Sequence, residues 1–239
     1  MAAVGGDSRF RRLWRPKIVF NCGCDTVVDA MNDQNPDSKN RLLDAAEHLI
    51  LEHGFAGTTL AMIVEQAGVT KGSFFHHFDS KSELGRVLIE RYARQDEQFL
   101  QQLLESAERL SRDPLQQLLI FIGLLAEEFE NGHNPLEGCL FAAYIYQQGM
   151  FDTETRSIPE RAFRRWRRAV AAKLEQITEQ YSPTIAVDLD SLADSLNVVT
   201  EGAFITARVF EQPEVMVDHL IHLRNYMELL FEKRPDDGA

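Results

Sequence analysis

The chain has 239 residues and a formal net charge of −12, so it is not basic over its whole surface. A small headpiece can still bind DNA through a few Lys side chains and helix N-termini, while an acidic body stays away from the duplex. No run approaches the roughly 18 apolar residues that a membrane span needs. Three cysteines are too few for a disulfide scaffold. We therefore expect a protein of the reducing cytoplasm with no membrane partner.

Residues 1–37 lack the hydrophobic periodicity of a packed element, although residues 9–17 are basic and aromatic. We interpret this segment as a disordered tail, or as a start-site artefact that precedes the true start at Met31. A basic arm that touches DNA is the alternative. Cys22 and Cys24 are spaced too closely for an ordinary zinc site and have no second pair. No metal or cofactor is expected.

The first predicted helix runs from about Lys39 to His53 and can end at Gly54. Its apolar stripe consists of Leu42, Ala45, Ala46, Leu49 and Ile50.

Two short helices joined by a tight turn follow. Thr58 or Thr59 can cap the first of them, and Thr70 can cap the second. Between them, Gly68 can take the left-handed conformation that ends a helix. A short helix, a glycine turn and a second short helix form the helix-turn-helix pattern.

The rest of the chain is helical and is interrupted by prolines and loops. Ser80 and Glu83 match a capping box, which starts a long helix that ends near Arg109. The next helix, over residues 114–130, is apolar on all sides and should be central. Further helices are predicted over residues 138–150, 159–181, 188–210 and 213–232. No run has the period of a strand, so the fold class is all-α.

The segment GTTLAMIVEQAGVTKGSFFHHFDSKSEL resembles the DNA-binding region of TetR-type transcriptional repressors, over about residues 38–88. The resemblance implies a three-helix helix-turn-helix headpiece over residues 38–84. It also implies an effector-binding and dimerisation body over residues 85–239. Such a protein binds double-stranded operator DNA as a homodimer through its last two helices, and a small-molecule effector controls it.

Residues of the headpiece supply the predicted DNA-reading surface. Lys71 adds charge, Gly72 lets the backbone approach the duplex, and Ser73 can bond a base edge or a phosphate. The family usually has Tyr where this chain has Phe75, which cannot donate a hydrogen bond, so the operator sequence does not carry over. His76 and His77 are either phosphate contacts or packing groups. The full predicted set is Lys39, Arg41, Thr58, Thr59, Thr70, Lys71, Gly72, Ser73, Phe75, His76, His77 and Lys81.

Residues of the body are candidates to line an effector pocket, with core packing as the alternative for each. They are Phe99, Phe121, Leu124, Leu125, Phe141, Tyr144, Ile145, Gln148, Trp166 and Val170. This set suggests an apolar or aromatic effector. The arginines around Trp166 are interpreted as a solvated helix side paired with glutamates.

Cys139 follows a glycine in a motif that resembles one in TetR-type regulators that sense electrophiles. A buried, unreactive thiol is the alternative. We therefore predict a repressor released by a small apolar or aromatic effector, with redox or electrophile sensing through Cys139 as the alternative. No nucleophile triad spacing, phosphate-binding loop or dinucleotide fingerprint indicates an enzyme. A helical protein-interaction adaptor would leave the headpiece surface unexplained.

Overall fold

The computed structural model of the chain describes residues 36–132 and 134–233. The predictions for the N-terminal segment, including the DNA-touching arm and the Cys22–Cys24 pair, therefore lie outside the described residues. Pro36 and Asp37 are exceptions, because they begin the first helix.

Three helices form the headpiece: α1 (Pro36–Gly57), α2 (Leu60–Gln66) and α3 (Lys71–His77). The hydroxyl of Thr59 accepts the Met62 N–H at 3.2 Å and caps α2. The hydroxyl of Thr70 accepts the Ser73 N–H at 3.0 Å and caps α3. Both capping threonines are among those predicted from the sequence.

The headpiece has an apolar core shared by its three helices and the start of the next one. Its buried side chains include Leu42, Ala46, Ile50, Ile63, Phe74, Phe78, Leu84 and Leu88. A core of this kind holds α2 and α3 in a fixed relation. Residues of the headpiece that lie outside this core are available for binding.

Six further helices build the body: α4 (Lys81–Leu110), α5 (Pro114–Asn131), α6 (Leu140–Ile145), α7 (Thr153–Gln180), α8 (Leu189–Phe210) and α9 (Glu214–Leu230). α5 packs against α4, α7 and α9, and its residues Leu118, Phe121 and Leu125 are buried, so it is the central helix that its sequence predicts. α4 joins headpiece and body in one continuous helix.

Two predicted helix boundaries are wrong. The predicted helix over residues 138–150 is only the short α6, flanked by 3₁₀ turns at Pro135–Glu137 and Gln148–Met150. Gly138 has φ 88° and stops a helix from beginning there. Pro159 lies inside α7 and does not open it, because Asp152 caps the helix earlier, accepting the Thr155 N–H at 2.7 Å.

A two-stranded antiparallel ladder between β1 (Tyr181–Pro183) and β2 (Phe231–Lys233) was not predicted. Each strand has three residues, too few to show an alternating pattern in sequence. The ladder holds the segment after α9 against the end of α7. No helix among the described residues is long and apolar enough to cross a membrane.

Candidate DNA interface and effector site

The helix α3 has one buried side and one exposed side. Ser73, Phe74 and Phe78 are buried, whereas Lys71, Gly72, Phe75 and His76 face solvent, and Phe75 is 50% exposed. Helical periodicity explains the division, since residues three and four apart share a face. The exposed side therefore presents a cation, a glycine, an aromatic ring and an imidazole together.

Further exposed groups lie at the helix ends of the headpiece. Thr59 and Thr70 are exposed at the N-termini of α2 and α3, where the unpaired backbone N–H groups favour an anion. Lys39 and Arg41 are exposed on the first turns of α1, with Arg41 3.7 Å from the Asp37 carboxylate. The Lys71 ammonium lies 5.9 Å from the Phe75 ring centroid and remains exposed.

The structure corrects the prediction for Ser73. Its side chain is 1% exposed, and its hydroxyl makes no hydrogen bond to the described part of the chain. Ser73 lies on the same side of α3 as Phe74, so it faces the headpiece core. A base or phosphate contact from this side chain is excluded in the described conformation.

Thr58 is also buried, so its predicted place on the DNA-reading surface is wrong. The hydroxyl donates to the Gly54 carbonyl at 2.9 Å and so completes the end of α1. Thr59, the next residue, takes the capping position of α2 instead.

Lys81, which was predicted as part of the DNA-reading surface, binds within the protein in this conformation. Its ammonium donates to the carbonyl oxygens of Phe55 and Thr58 at 2.6 Å each, and lies 4.3 Å from the Phe55 ring centroid. Partial burial lowers the pKa of Lys81. The Lys81 ammonium therefore connects the start of α4 to the end of α1 and the turn that follows it.

His77 is half-buried, and its Nε2 lies 2.6 Å from the Ser38 hydroxyl at the start of α1. Its ring also meets the Phe78 ring. The packing alternative describes this residue, while His76 remains on the exposed side of α3.

The predicted effector-pocket residues fall into three groups. Phe121, Leu125, Phe141, Tyr144 and Val170 are buried, and Phe99, Leu124 and Trp166 are half-buried. Ile145 and Gln148 are exposed at the end of α6 and in the following 3₁₀ turn, so the structure does not place them with the others. The assumed long helix over residues 138–150 caused this error.

Aromatic rings from α4, α5 and α7 meet inside the body. The Trp166 ring lies 6.3 Å from Phe99 and 6.0 Å from Phe121, centroid to centroid. The indole N–H of Trp166 donates to Asp96 Oδ1 at 2.9 Å. Burial raises the pKa of Asp96 from 3.8 to about 6, against the opposing effects of the Trp166 N–H and the Arg165 charge.

A surface cleft adjoins this cluster between α4 and α7. It is lined by Glu90, Ala93, Arg94, Glu97, Ile158, Arg161 and Arg165. Arg165 lies 3.3 Å from Glu97 and 3.8 Å from Asp96 Oδ2, and Arg164 lies 2.9 Å from Glu160. Arg164 and Arg165 are therefore paired with acidic side chains, as expected from the sequence.

The Tyr144 side chain is hydrogen-bonded to α4 near the headpiece. Its hydroxyl donates to the Gly85 carbonyl at 2.6 Å, and its ring stacks on Phe151 at 4.4 Å. The hydroxyl of this predicted effector-pocket residue is therefore hydrogen-bonded within the protein. Sequence reasoning missed Gly85 as its acceptor, because a backbone acceptor carries no side-chain signal.

Cys139 lies at the N-terminal end of α6 and is 9% exposed. Its thiol lies beside the Glu201 carboxyl group on α8. Burial and the adjacent carboxylate raise the pKa of Cys139 well above the usual thiol value. Burial also raises the pKa of Glu201. The thiol is therefore protonated in this conformation and a weak nucleophile.

Sequence reasoning also missed Asp96, Glu201 and Gln147. Asp96 and Glu201 lie on helices at positions that look solvated in sequence. The packing of α4 with α7, and of α8 with the 3₁₀ turn before α6, partly buries them. Gln147 follows α6, and its contact with α1 is remote in sequence. No local pattern could have indicated these three residues.

Two family models match the chain. One, described as bacterial regulatory proteins of the tetR family, covers residues 42–86. The other, described as the C-terminal domain of LmrA/YxaF-like transcriptional regulators, covers residues 114–219. Together they span the helix-turn-helix and most of the body.

Named relatives match over most of their length. The HTH-type transcriptional repressor NemR of Escherichia coli (strain K12) is 28% identical over 189 residues, which are 79% of this chain and 93% of NemR. The transcriptional regulator AcuR of Cereibacter sphaeroides is 29% identical over 70% of this chain and 74% of AcuR. The crystal structure of reduced E. coli NemR superposes with a TM-score of 0.64 at 26% identity, covering 83% of this chain and 98% of that one.

Proposed function

The chain belongs to the TetR family of transcriptional regulators, and we propose that it is a dimeric repressor that leaves its operator when a small apolar or aromatic molecule binds its body. The observation that carries this proposal is the exposed side of α3, where Lys71, Gly72, Phe75 and His76 lie together. These groups suit a surface that approaches DNA, with a cation for phosphate and a ring for a thymine methyl.

We place the boundary between headpiece and body near residue 84, inside the first turns of α4. Buried side chains of α1, α2 and α3 pack together in the headpiece, and α4 continues into the body without a break. A continuous helix transmits a tilt of the body directly to the headpiece, which is the movement that a change in operator affinity requires.

Apolar side chains left exposed on the last two helices support a homodimer. They include Val198, Ile205 and Val209 on α8 and Ile221, Tyr226 and Leu229 on α9. Leu229 is 78% exposed and Val209 is 71% exposed, which is costly for two neighbouring helices in water. A second copy of the chain that pairs through α8 and α9 would cover them.

The aromatic cluster of Phe99, Phe121 and Trp166 supports an apolar or aromatic effector. These rings belong to α4, α5 and α7, so a molecule inserted among them would move α4 relative to the other two helices. The effector must favour the released arrangement over the operator-bound one, since equal affinity for both would shift nothing.

Gel-shift titration with the DNA upstream of the chain's own reading frame tests the proposal. We expect a shift by the wild-type protein that weakens in Lys71→Ala and is unchanged in Lys233→Ala, an exposed lysine at the far end of the chain. A thermal-shift screen of aromatic compounds, repeated with the operator present, would then identify effectors. A wild-type protein that shifts no fragment, or a Lys71→Ala variant that binds as tightly, would refute it.

Electrophile sensing through Cys139 is the second candidate, favoured by the match to a repressor crystallised in a reduced form. In this reaction the thiol gives its proton to Glu201, and the sulfur bonds to the β-carbon of an activated alkene. The π bond of the alkene breaks, and its α-carbon takes up a proton. N-ethylmaleimide should then release operator from wild type and from a Cys22→Ser, Cys24→Ser variant, but not from Cys139→Ser. Equal release from all three proteins would exclude Cys139 as the sensor.

The relatives named above are regulators of transcription, so neither an enzyme nor a protein-interaction adaptor has support among them. We expect the protein in the cytoplasm, where its operator would be.

A further inference from the structure

The helix α1 is broken near its end, at Gly54. This residue has φ 72° and ψ 165°, which a side-chain-bearing residue adopts only with strain. Such a break interrupts the regular i to i−4 hydrogen bonds and leaves backbone groups on either side that need other partners. Backbone N–H and C=O groups at the end of α1 can therefore form hydrogen bonds with side chains of the body.

Two side chains of the body bind these backbone groups. Gln147 Oε1 accepts the Ala56 N–H at 2.7 Å, and Arg208 Nη1 donates to the Leu51 carbonyl at 3.2 Å. One partner lies just after α6 and the other near the end of α8. Two different parts of the body are thus hydrogen-bonded to α1 on either side of the break.

The fit of Gln147 against the break is close. A Cβ atom added to Gly54 would lie 2.3 Å from Gln147 Nε2, so the missing side chain is what lets the amide approach. The same segment makes a second contact with the headpiece, because the Phe151 ring lies 4.5 Å from the buried Phe55 ring. The amide and the ring flank the turn that leads from α1 to α2.

We propose that Gln147 is a positioning residue: its side-chain hydrogen bond to Ala56 sets the orientation of the headpiece on the body and so sets operator affinity. The effect on operator affinity rests on the proposed function, whereas the hold on the headpiece does not. Cys139 and Tyr144 lie at the start and near the end of α6, so a rearrangement at either would displace the segment that follows. Through the hydrogen bond of Gln147, that displacement would move α1 and α2.

Three variants test the proposal in the full-length protein. Gln147→Leu keeps most of the side-chain volume but removes the acceptor, and Gln147→Glu keeps an acceptor oxygen. Gln98→Leu, on an exposed position of α4, is the matched control. Amide hydrogen exchange at Ala56 and operator affinity are measured for each.

We expect exchange at Ala56 to accelerate roughly tenfold in Gln147→Leu, as for the loss of one hydrogen bond. Operator affinity should fall roughly three- to tenfold, because a headpiece that can pivot must be ordered again on binding. Gln147→Glu should restore both readouts towards wild type, and Gln98→Leu should change neither.

Unchanged exchange in Gln147→Leu would overturn the proposal, as would faster exchange with unchanged operator affinity. Equal effects of Gln147→Leu and Gln147→Glu would also overturn it, since they would assign the role to packing. A wild-type protein that binds no operator would refute the proposed function, and the exchange data would still decide whether Gln147 holds the headpiece.

Discussion

Replacing Lys81 by alanine should destabilise the headpiece rather than remove a phosphate contact. The ammonium bonds two carbonyl oxygens at 2.6 Å each and lies 4.3 Å from the centre of the Phe55 ring. A hydrogen bond with one charged partner contributes about 1.5–3 kcal/mol, and an exposed cation–π contact about 0.5–1 kcal/mol. Since Lys81 is half-buried and water can reach part of this site, we expect a net loss of about 2–3 kcal/mol.

Thermal unfolding followed by circular dichroism measures this loss. For a chain of this size, 1 kcal/mol corresponds to roughly 2–4 °C, so the midpoint should fall by roughly 4–12 °C. All proteins are compared at one concentration, because unfolding of a dimer depends on it. Lys71→Ala is the matched control, since Lys71 is exposed and should leave the midpoint unchanged.

The salt dependence of operator binding separates the two lysines. Each phosphate contact contributes about 0.9 to the slope of log affinity against log salt concentration, so a dimer with Lys71→Ala should lose about 1.8. Lys81→Ala should retain the wild-type slope at temperatures where it is folded. If Lys81→Ala melts like wild type and lowers the slope as Lys71→Ala does, Lys81 contacts phosphate and our assignment is wrong.

Three further predictions concern the body. Tyr144→Phe leaves the Gly85 carbonyl without its 2.6 Å donor and should cost about 1–2 kcal/mol in a urea titration; an unchanged midpoint would contradict this. The folded-state pKa of Asp96 is raised from 3.8 to about 6, so its stability contribution is complete below pH 3.8 and is lost as pH rises to about 6. As the pH rises between those values, the free energy of unfolding of Asp96→Asn should increase by up to about 3 kcal/mol relative to that of wild type. If the free energies of unfolding of the two proteins ran parallel with pH, the assignment would be refuted. Val209→Glu combined with Leu229→Glu places charges on exposed apolar positions, and sedimentation should show monomers; an intact dimer would exclude this face.

The headpiece could be predicted closely because its signals are local. The capping hydroxyls of Thr59, Thr70 and Ser80 and the left-handed Gly68 each act within three or four residues. Local hydrogen bonds of this kind fix a helix end whatever the rest of the chain does. The start of α3 and the exposed position of Lys71 follow directly from them.

The predictions that failed depended on contacts between distant segments. Ser73 looks like an exposed polar residue at a helix start, and only the packing of α3 against α1 buries it. Lys81 looks like a basic residue beside DNA, but the carbonyl oxygens that it binds belong to Phe55 and Thr58. The α6 region was overextended because an apolar composition does not show where Gly138 turns the backbone.

DNase I footprinting on the DNA upstream of the reading frame tests the central claim most directly, because it reports where and how two headpieces engage one duplex. The account predicts protection of a palindrome whose half-sites lie about 10 base pairs apart, centre to centre, or a multiple of that distance, with protection lost at lower salt in Lys71→Ala than in wild type. Protection that is identical in the two proteins, or no protected site at all, would contradict it.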